Sequence, residues 1–373
     1  MRLRFSSIVA LVWLIPAPLV LGGYGDPIAI RQIDDGHVRI ESYWGLQLSI
    51  HRSLDASAPV TDASKSVSLR EDLDHVFTRP VNQDSAAWLS RGRSTEDDAN
   101  EIQVVSVAEA ALHIRVDGVS ILVCDATMEQ LPDNVPKAFD ALIAWVSADN
   151  TKPPTTLRNL MEDLQPRYVI PMGLAANTEW SDATSTHHSV LAISASKTRN
   201  PAPRIVLLES REWPMDSEME HLFIAMEQAC RDSQEVFRDL SIDQMNFRPS
   251  NGTHTPRWNA EHMMGRQLQF FSQIYHEIDP EIPVLNLNPK QMPDAYRFAH
   301  PDWSGAEEAR QMQRVSEFTR RFSYLLDGLP LDRRAPGSRW PSLKALLRQM
   351  ERHYQEHTAN TEAKFALPDW PRS

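Results

Sequence analysis

The stretch Leu346-Leu347-Arg348-Gln349-Met350-Glu351-Arg352-His353-Tyr354-Gln355-Glu356-His357 lies close to the carboxyl end of the chain and decides how that half folds. Two imidazoles four residues apart on a helix project from the same face, one turn above each other. The helix around them is expected to be amphipathic, because its apolar residues recur at intervals of three or four. The predicted buried stripe contains Leu343, Leu346, Leu347, Met350, His353, His357 and Phe365.

A buried histidine often does no more than pack and form a hydrogen bond. Two buried imidazoles, however, need partners for four ring nitrogens, and a metal ion supplies two of those partners. Zinc, iron and nickel all accept imidazole nitrogen. The pair at His353 and His357 therefore predicts a divalent metal, with zinc preferred and nickel or iron as alternatives.

Composition narrows the classes of partner. The chain has 373 residues, 42% of them hydrophobic and 24% charged, which is typical of a soluble globular protein of two or three domains. Its net charge is -12 and it has no Lys/Arg-rich stripe, so nucleic acid and anionic membranes are disfavoured and small molecules are expected as substrates or ligands. A homodimer is compatible with this composition.

The chain has only two cysteines, Cys124 and Cys230. Two thiols exclude a disulfide framework and a cysteine metal cluster, while a single bridge between them is left open. Cys124 ends an apolar run and is expected to be a buried strand residue without a catalytic role.

The first residues resemble a targeting segment. Two arginines precede an apolar run from Ile8 to Leu21, and two glycines follow it. A single anchoring helix is the alternative, but Pro16 and Pro18 interrupt a run that is already shorter than the roughly 20 residues needed to span a bilayer. We expect residues 1–25 to be a signal peptide and the protein to be exported, either periplasmic or secreted.

Residues 26–210 are predicted to form a mixed α/β domain. Short apolar runs alternate with turn residues, and Asp117-Gly118 between two such runs is a hairpin signal. A strand at Ala141–Val146, a helix at Thr155–Leu164 and a strand at Tyr168–Met172 follow one another as a strand–helix–strand unit.

Residues 216–370 are predicted to form a four-helix bundle, which makes the whole chain an α+β multidomain protein. Ser217 with Glu220, and Ser304 with Glu307, have the spacing of capping boxes. The long link from Asp279 to Trp303 is expected to be a crossover. The four helices are expected to begin near Ser217, Arg257, Ser304 and Pro341. The first should bury Leu222, Met226, Ala229, Val236, Phe237 and Leu240.

A metal site in a bundle takes ligands from facing helices, so a third ligand is expected on another helix. The candidates are His221, His262 and His276. His262 lies near the start of its helix and outside the centre of the apolar stripe marked by Met263 and Phe270. The pattern alone does not choose among the three.

The C-terminal half resembles the DinB/YfiT-like superfamily of four-helix metal-binding proteins. The resemblance rests on Leu240–Pro249, on Trp258–His262 and on the H-x-x-x-H motif at His353–His357. It implies that His262, His353 and His357 are the metal ligands. It also implies a thiol-dependent transferase or isomerase. Independently of the resemblance, a three-histidine site leaves an open position in which a metal could activate water for hydrolysis. Export argues against a cytosolic thiol cofactor.

The N-terminal half resembles the metallo-β-lactamase-like fold, with a generic α/β domain as the alternative. Asp74–Asp84 stands where that family carries T-H-x-H-x-D-H, Asp125 matches a bridging ligand and Met172 replaces a histidine. The residues in place of the family's ligands and general base are Arg79, Val81, Gln83 and Asp84. The resemblance therefore implies a degenerate domain whose own metal site is lost.

Two rival functions remain. The five residues His353–His357 also fit the inverted zincin motif H-x-x-E-H, in which Glu356 would be the general base of a peptidase. Such peptidases take a third ligand from a downstream helix, and only 16 residues follow His357. The other rival is a non-catalytic, metal-stabilised protein that binds a ligand or partner.

No catalytic residue is assigned from the sequence. Tyr275, Tyr324 and Glu261 are expected to be either proton donors or acceptors, or ordinary surface and packing residues. His187-His188 is expected in a surface loop. His254, His276 and His300 lack partners at ligand spacing, and no G-x-S-x-G, Walker or dinucleotide motif predicts an organic cofactor.

Overall fold

The computed structural model describes residues 27–42, 47–51, 66–71, 75–80, 103–108, 111–131, 138–174, 180, 183–185, 189–195, 202–209, 215–285 and 300–372. The expected signal peptide, the His187-His188 pair and most of the expected crossover lie outside these residues. Among the helices that are described, none combines the length and the apolar character needed to cross a membrane.

The N-terminal half is built from strands and one helix. In chain order the strands are β1 (Ile28–Asp34), β2 (His37–Glu41), β3 (Gln47–His51), β4 (Ser66–Glu71), β5 (His75–Pro80), β6 (Gln103–Ala108), β7 (Ala111–Val116), β8 (Val119–Asp125), β9 (Ala141–Trp145), β10 (Tyr168–Met172), β11 (Ala183–Ser185), β12 (Val190–Ile193) and β13 (Arg204–Leu207). Helix α1 (Thr155–Leu164) joins β9 to β10.

The strands form two sheets. The first is antiparallel, in the order β12-β1-β2-β3-β4-β5. The second has the order β11-β13-β10-β9-β8-β7-β6 and is parallel from β11 to β8. The parallel pairing of β9 with β10 confirms the predicted strand–helix–strand unit.

The hairpin between β7 and β8 confirms the turn predicted at Asp117-Gly118. Both residues have a positive φ, 47° and 79°, as a type I′ turn requires. The tight turn keeps β7 and β8 in register, so that Cys124 lies opposite Ala111. Cys124 is buried, and both it and Cys230 are free thiols.

Apolar residues form one core between the two sheets and a second beneath α1. Alternate residues of β2, such as Val38 and Ile40, point between the sheets, while Arg39 and Glu41 point to the other face of the first sheet. Leu157 and Leu160 of α1 cover the outer face of the second sheet. The N-terminal half therefore has three layers, two sheets and a helix.

The C-terminal half consists of helices. They are α2 (Ser217–Arg238), α3 (Ile242–Met245), α4 (Pro256–Ile278), α5 (Gly305–Arg321), a 3-10 turn at Ser323–Leu326, and α6 (Leu343–Glu362). Helices α2 and α4 each pack against both α5 and α6, so they lie at opposite corners of a four-helix bundle. The predicted α+β class, with sheets followed by helices, is confirmed.

The two halves share a packed boundary. Ala29, Val190 and Ala192 on the outer face of the first sheet belong to the same apolar core as the bundle. At another point the Arg167 guanidinium donates to the Glu281 carboxylate at 3.0 and 3.1 Å, and the Tyr168 hydroxyl donates to it at 2.8 Å. The bundle thus covers part of the first sheet.

Helix ends differ in part from the sequence prediction. Ser304 caps α5 as expected, accepting a hydrogen bond from the Glu307 N–H at 3.3 Å. The capping box predicted at Ser217 and Glu220 is wrong, because the Asp216 carboxylate accepts from the first-turn N–H groups. A carboxylate one residue earlier performs the same role and also favours the helix dipole.

Two packing predictions were also wrong. Phe365 was predicted to belong to the buried stripe of α6. It lies beyond the end of that helix, and it is 43% exposed. In the first helix, Met226, Ala229, Phe237 and Leu240 are buried as predicted, whereas Leu222 and Val236 are only half-buried. Phe223, which was not in the predicted stripe, is fully buried, and α2 contacts both α5 and α6.

Gly305 permits the close approach of α5 to the end of α2. Its N–H donates to the Leu240 carbonyl at 2.9 Å, and a Cβ at this position would overlap the Phe237 carbonyl and lie 2.7 Å from that of Leu240. We expect Gly305→Ala to lower the free energy of unfolding by about 3 kcal/mol. Urea unfolding measures this change.

Gly252→Ala is the matched control. Gly252 has a φ of 75° and nothing within 4 Å of an added Cβ, so only backbone strain of about 1 kcal/mol is expected. An equal loss in the two variants would contradict the close packing of α2 and α5.

Candidate metal centre

Two neighbouring helices carry the predicted ligands. Helix α4 begins after Thr255, whose hydroxyl accepts from the Trp258 N–H at 3.1 Å, and this cap places His262 in the second turn. His353 and His357 lie on α6, which packs directly against α4. The bundle therefore brings residues nearly a hundred positions apart to one place.

The three imidazoles form a compact group. The ring centroid of His262 lies 4.9 Å from that of His353 and 5.0 Å from that of His357. The ring centroids of His353 and His357 are 4.6 Å apart. One nitrogen from each ring lies within 4.8 Å of the others. Tetrahedral zinc at its usual bond length needs nitrogens about 3.3 Å apart, so small side-chain rotations bring the group to ligand geometry.

Burial keeps these imidazoles neutral. Burial, and then the charge of the neighbouring imidazoles, lowers the pKa of His262 to about 3 and that of His353 to about 3. Burial also lowers the pKa of His357 to about 4, with added effects from His254 and Lys364. A neutral imidazole has the lone pair that binds a metal, so the site is in its ligating form at neutral pH.

Asn259 fixes the tautomer of His357. Its amide nitrogen donates to Asn360 Oδ1 and to Thr361 Oγ1, both at 2.9 Å, so its oxygen faces the His357 Nδ1 at 2.9 Å. An amide oxygen only accepts, and His357 Nδ1 must therefore carry the proton. The Nε2 lone pair is left for a metal, as in other histidine sites held by a second layer of hydrogen bonds.

A lysine supports the same network. Lys364 Nζ donates to the Asn360 carbonyl at 2.6 Å and to Asn360 Oδ1 at 2.7 Å. Burial lowers the pKa of this ammonium group to about 8. The lysine thus holds the amide that in turn orients Asn259.

Aromatic rings stack on the other side of the site. Trp258 lies parallel to His262 with centroids 4.3 Å apart, and His254 stacks on the far side of Trp258 at 3.7 Å. Trp258 is buried, and the stack restricts rotation of the His262 ring. His254 therefore lies next to the ligands without joining their group.

The donor set fits a metal ion on a second ground. The Nδ1 atoms of His262 and His353 are buried without a hydrogen-bond partner. A buried ring nitrogen without a partner costs about 1–3 kcal/mol. A metal ion bound through these Nδ1 atoms would supply the missing partner to both rings.

The structure separates the three candidates for the third ligand. His262 joins the pair, whereas His221 is exposed on α2 and the His276 Nδ1 bonds to the Ile282 carbonyl at 2.8 Å. The sequence pattern puts His262 outside the centre of the apolar stripe of its helix. In the structure α4 is buried on nearly every side, so the position of a residue relative to that stripe does not indicate whether it is buried. Among the described residues, no other His, Cys, Asp or Glu group has metal-ligand spacing.

Tyr275 and Tyr324 lie away from the triad, and the carboxylate of Glu261 is engaged by His300. Tyr275 is buried near the opposite end of α4, where its hydroxyl donates to the Thr319 carbonyl at 2.6 Å, and Tyr324 follows α5 at that same end. Glu261 is buried, and its carboxylate accepts from the His300 backbone at 3.1 Å and lies 3.2 Å from His300 Nδ1. Glu356 is exposed, as expected of a solvated helix residue.

Sequence reasoning did not single out Asn259, Asn360, Thr361 or Lys364. One signal was available, because Asn259 lies three residues before His262 and therefore on a similar face of the helix. Asn360 and Thr361 follow His357 on α6 at intervals of three and four, and Lys364 follows just beyond the end of that helix. Polar residues at helical spacing from a ligand histidine are thus informative.

The expected remnant of a second metal site is only partly described. Asp125 ends β8 and Met172 ends β10, and both pair with Trp145 of β9, so they lie at one edge of the second sheet. Val81, Gln83 and Asp84 lie outside the described residues. Arg79 is in β5.

Comparison with known proteins gives a family match for the bundle and a structural neighbour for about half of the chain. Residues 225–360 match the model of the DinB superfamily, which confirms that resemblance for the segment containing the triad. A solved structure named as a candidate zinc-dependent hydrolase of the metallo-β-lactamase superfamily, from Thermotoga maritima, is similar at 12% identity and a TM-score of 0.30. The matched region covers 49% of this chain and 98% of the chain of that structure.

No curated protein matches the chain. The DinB match therefore bears most directly on the site.

Asn259→Ala should weaken metal binding. The variant removes the acceptor that holds the His357 tautomer, and loss of such a partner lowers affinity by about 10–100-fold. Competitive titration with a chromophoric zinc chelator measures it. Asn251→Ala is the control, because Asn251 is an exposed turn residue that bonds only to Thr253 in the described structure. Equal zinc affinity in both variants would contradict the role given to Asn259.

Proposed function

We propose that this protein is an exported, metal-dependent enzyme that acts on small molecules, with His262, His353 and His357 holding one divalent cation. Hydrolysis is the favoured reaction and thiol-dependent group transfer the alternative. Zinc is the favoured metal, with nickel and iron as alternatives. The support for export is the basic and apolar segment before residue 26.

One observation carries the proposal. Three neutral imidazoles from two helices converge, and among the described residues no fourth protein ligand joins their group. Structural zinc sites are closed by four protein ligands, whereas catalytic sites have three and keep one position open. The donor set is therefore that of a catalytic site.

A metal bound here would supply Lewis acidity and lower the pKa of a water or thiol in its open position. Residues around the three histidines hold the imidazole rings in the orientation and tautomer that metal binding requires. Asn259 holds His357 in one tautomer, and Trp258 orients His262 by stacking. Burial of all three imidazoles strengthens electrostatic interactions at the centre by limiting contact with water.

Location supports hydrolysis over thiol transfer. An exported protein is separated from the thiols of the cytosol, whereas water is available everywhere. Peptidase chemistry by an inverted zincin mechanism is disfavoured, because Glu356, which would be its general base, is exposed to solvent on α6. The strong negative charge of the chain favours small-molecule substrates over nucleic acid.

The metal content of the purified protein tests the ligand assignment. We expect close to one divalent metal per chain by plasma mass spectrometry, and loss of it in His353→Ala and His357→Ala. His221→Ala is the control, since His221 is exposed and lies outside the group. Full metal content in both α6 variants would overturn the assignment.

Activity tests the reaction. A panel of small esters and amides should be hydrolysed by the metal-loaded protein and by His221→Ala, but not after chelation, and zinc should restore the rate. Transfer of a small thiol to an aromatic electrophile tests the alternative. A large loss of thermal stability on chelation with no activity in either assay would instead support a purely structural metal.

A further inference from the structure

A cavity lies between the first sheet and the bundle. It has a volume of about 980 Å³ and is lined by residues of β1, β2, α2 and α5. Clefts at boundaries between domains are common ligand sites, and this volume lies in the range that small molecules occupy. Most of the lining side chains are charged or polar, so a polar ligand is indicated.

Three arginines, two from the first sheet and Arg321 from the end of α5, surround one carboxylate in this cavity. Glu41 lies 3.5 Å from Arg31, 4.0 Å from Arg39 and 3.5 Å from Arg321. The side chains of Glu41 and Arg321 are only 7% and 3% exposed, while those of Arg31 and Arg39 are 25% and 33% exposed. The cluster carries more positive than negative charge in a half-buried place.

Strand register makes this excess of positive charge costly. Arg31 of β1 lies directly opposite Arg39 of β2, on the face that meets the bundle. Like charges in directly opposed positions destabilise a sheet. Local rules are most often broken at functional sites, and a bound anion would remove the repulsion between these two guanidinium groups.

The helical wall of the cavity carries charges of both signs, with Glu220, Glu227, Arg231, Glu317 and Arg320 beside Arg321. Arg320 donates to the Glu227 carboxylate at 2.6 and 2.8 Å and to Glu220 at 2.7 Å, so two carboxylates share one guanidinium group. An anion is therefore favoured beside the cluster of Arg31, Arg39 and Arg321, where three guanidinium groups surround one carboxylate, and is disfavoured beside the glutamates of α2 and α5.

The cavity is distinct from the metal centre. Glu308, near the start of α5, pairs with Arg257 at the start of α4, the end of the bundle that carries His262. Glu308 and Arg320 are 12 residues apart on α5, which is about 18 Å along a helix. A molecule bound beside Arg320 therefore does not reach the triad.

We propose that this cavity is a second binding site, which takes a small carboxylate-bearing molecule with its carboxylate against Arg31, Arg39 and Arg321. The carboxylate balances the charge of the arginine cluster and pairs with the two more exposed guanidinium groups, which present forked donors suited to it. The rest of the molecule lies toward the polar wall formed by α2 and α5.

Succinate is the probe, and succinamide is its neutral counterpart. At constant ionic strength, succinate should raise the melting temperature of the full-length protein in a saturable way, with half-saturation on the order of 1 mM or tighter. Succinamide should not. Arg39→Gln should weaken this response at least about tenfold, which is the effect of losing one charge-assisted contact.

Arg115→Gln is the matched control, because Arg115 is an exposed arginine on β7 of the other sheet. Arg31→Gln provides a second test if Arg39→Gln folds poorly. Absence of saturable binding by succinate would overturn the proposal. So would equal responses in Arg39→Gln, Arg31→Gln and Arg115→Gln, which would place succinate at the metal or elsewhere.

Discussion

The hydrogen bond between Asn259 and His357 links the two helices on which the site depends. Asn259 uses every polar atom of its amide across the α4–α6 contact, accepting from His357 and donating to Asn360 and Thr361. A rotation of either helix would break several of these bonds at once and leave buried polar groups unsatisfied. The register of α4 against α6 is thereby restricted, and His262 is held opposite the pair on α6.

The same restriction explains why a polar cluster is tolerated inside an apolar bundle. Imidazoles with little access to water are costly as cations, and the burial of His262 and His353, with the partial burial of His357, lowers the pKa of all three. Neutral rings retain lone pairs, which a divalent cation can use. The bundle therefore places its hydrogen-bonding network at one end, while its other end meets the first sheet and forms the charged cavity lined by Arg320 and Glu41.

Much of this architecture follows from local sequence signals. Helical periodicity and the i,i+4 histidine pair predicted α6 and its ligands, and Asp117-Gly118 predicted a hairpin whose turn needs positive φ. The prediction of His262 as the third ligand depended on the family resemblance, because α4 is buried on almost all sides and has no polar face that would distinguish one histidine from another. The Arg31–Arg39 opposition depends on strand register, which pairs residues through space and is not visible along the chain.

The central claim is that three imidazoles, and no other protein group, hold one metal ion between α4 and α6. X-ray absorption spectroscopy at the edge of the metal found in the purified protein measures this directly. For zinc we expect three imidazole nitrogens at about 2.0 Å with one further light atom, and a loss of imidazole scattering in His262→Ala. Sulfur ligation, or a spectrum that His262→Ala leaves unchanged, would contradict the claim.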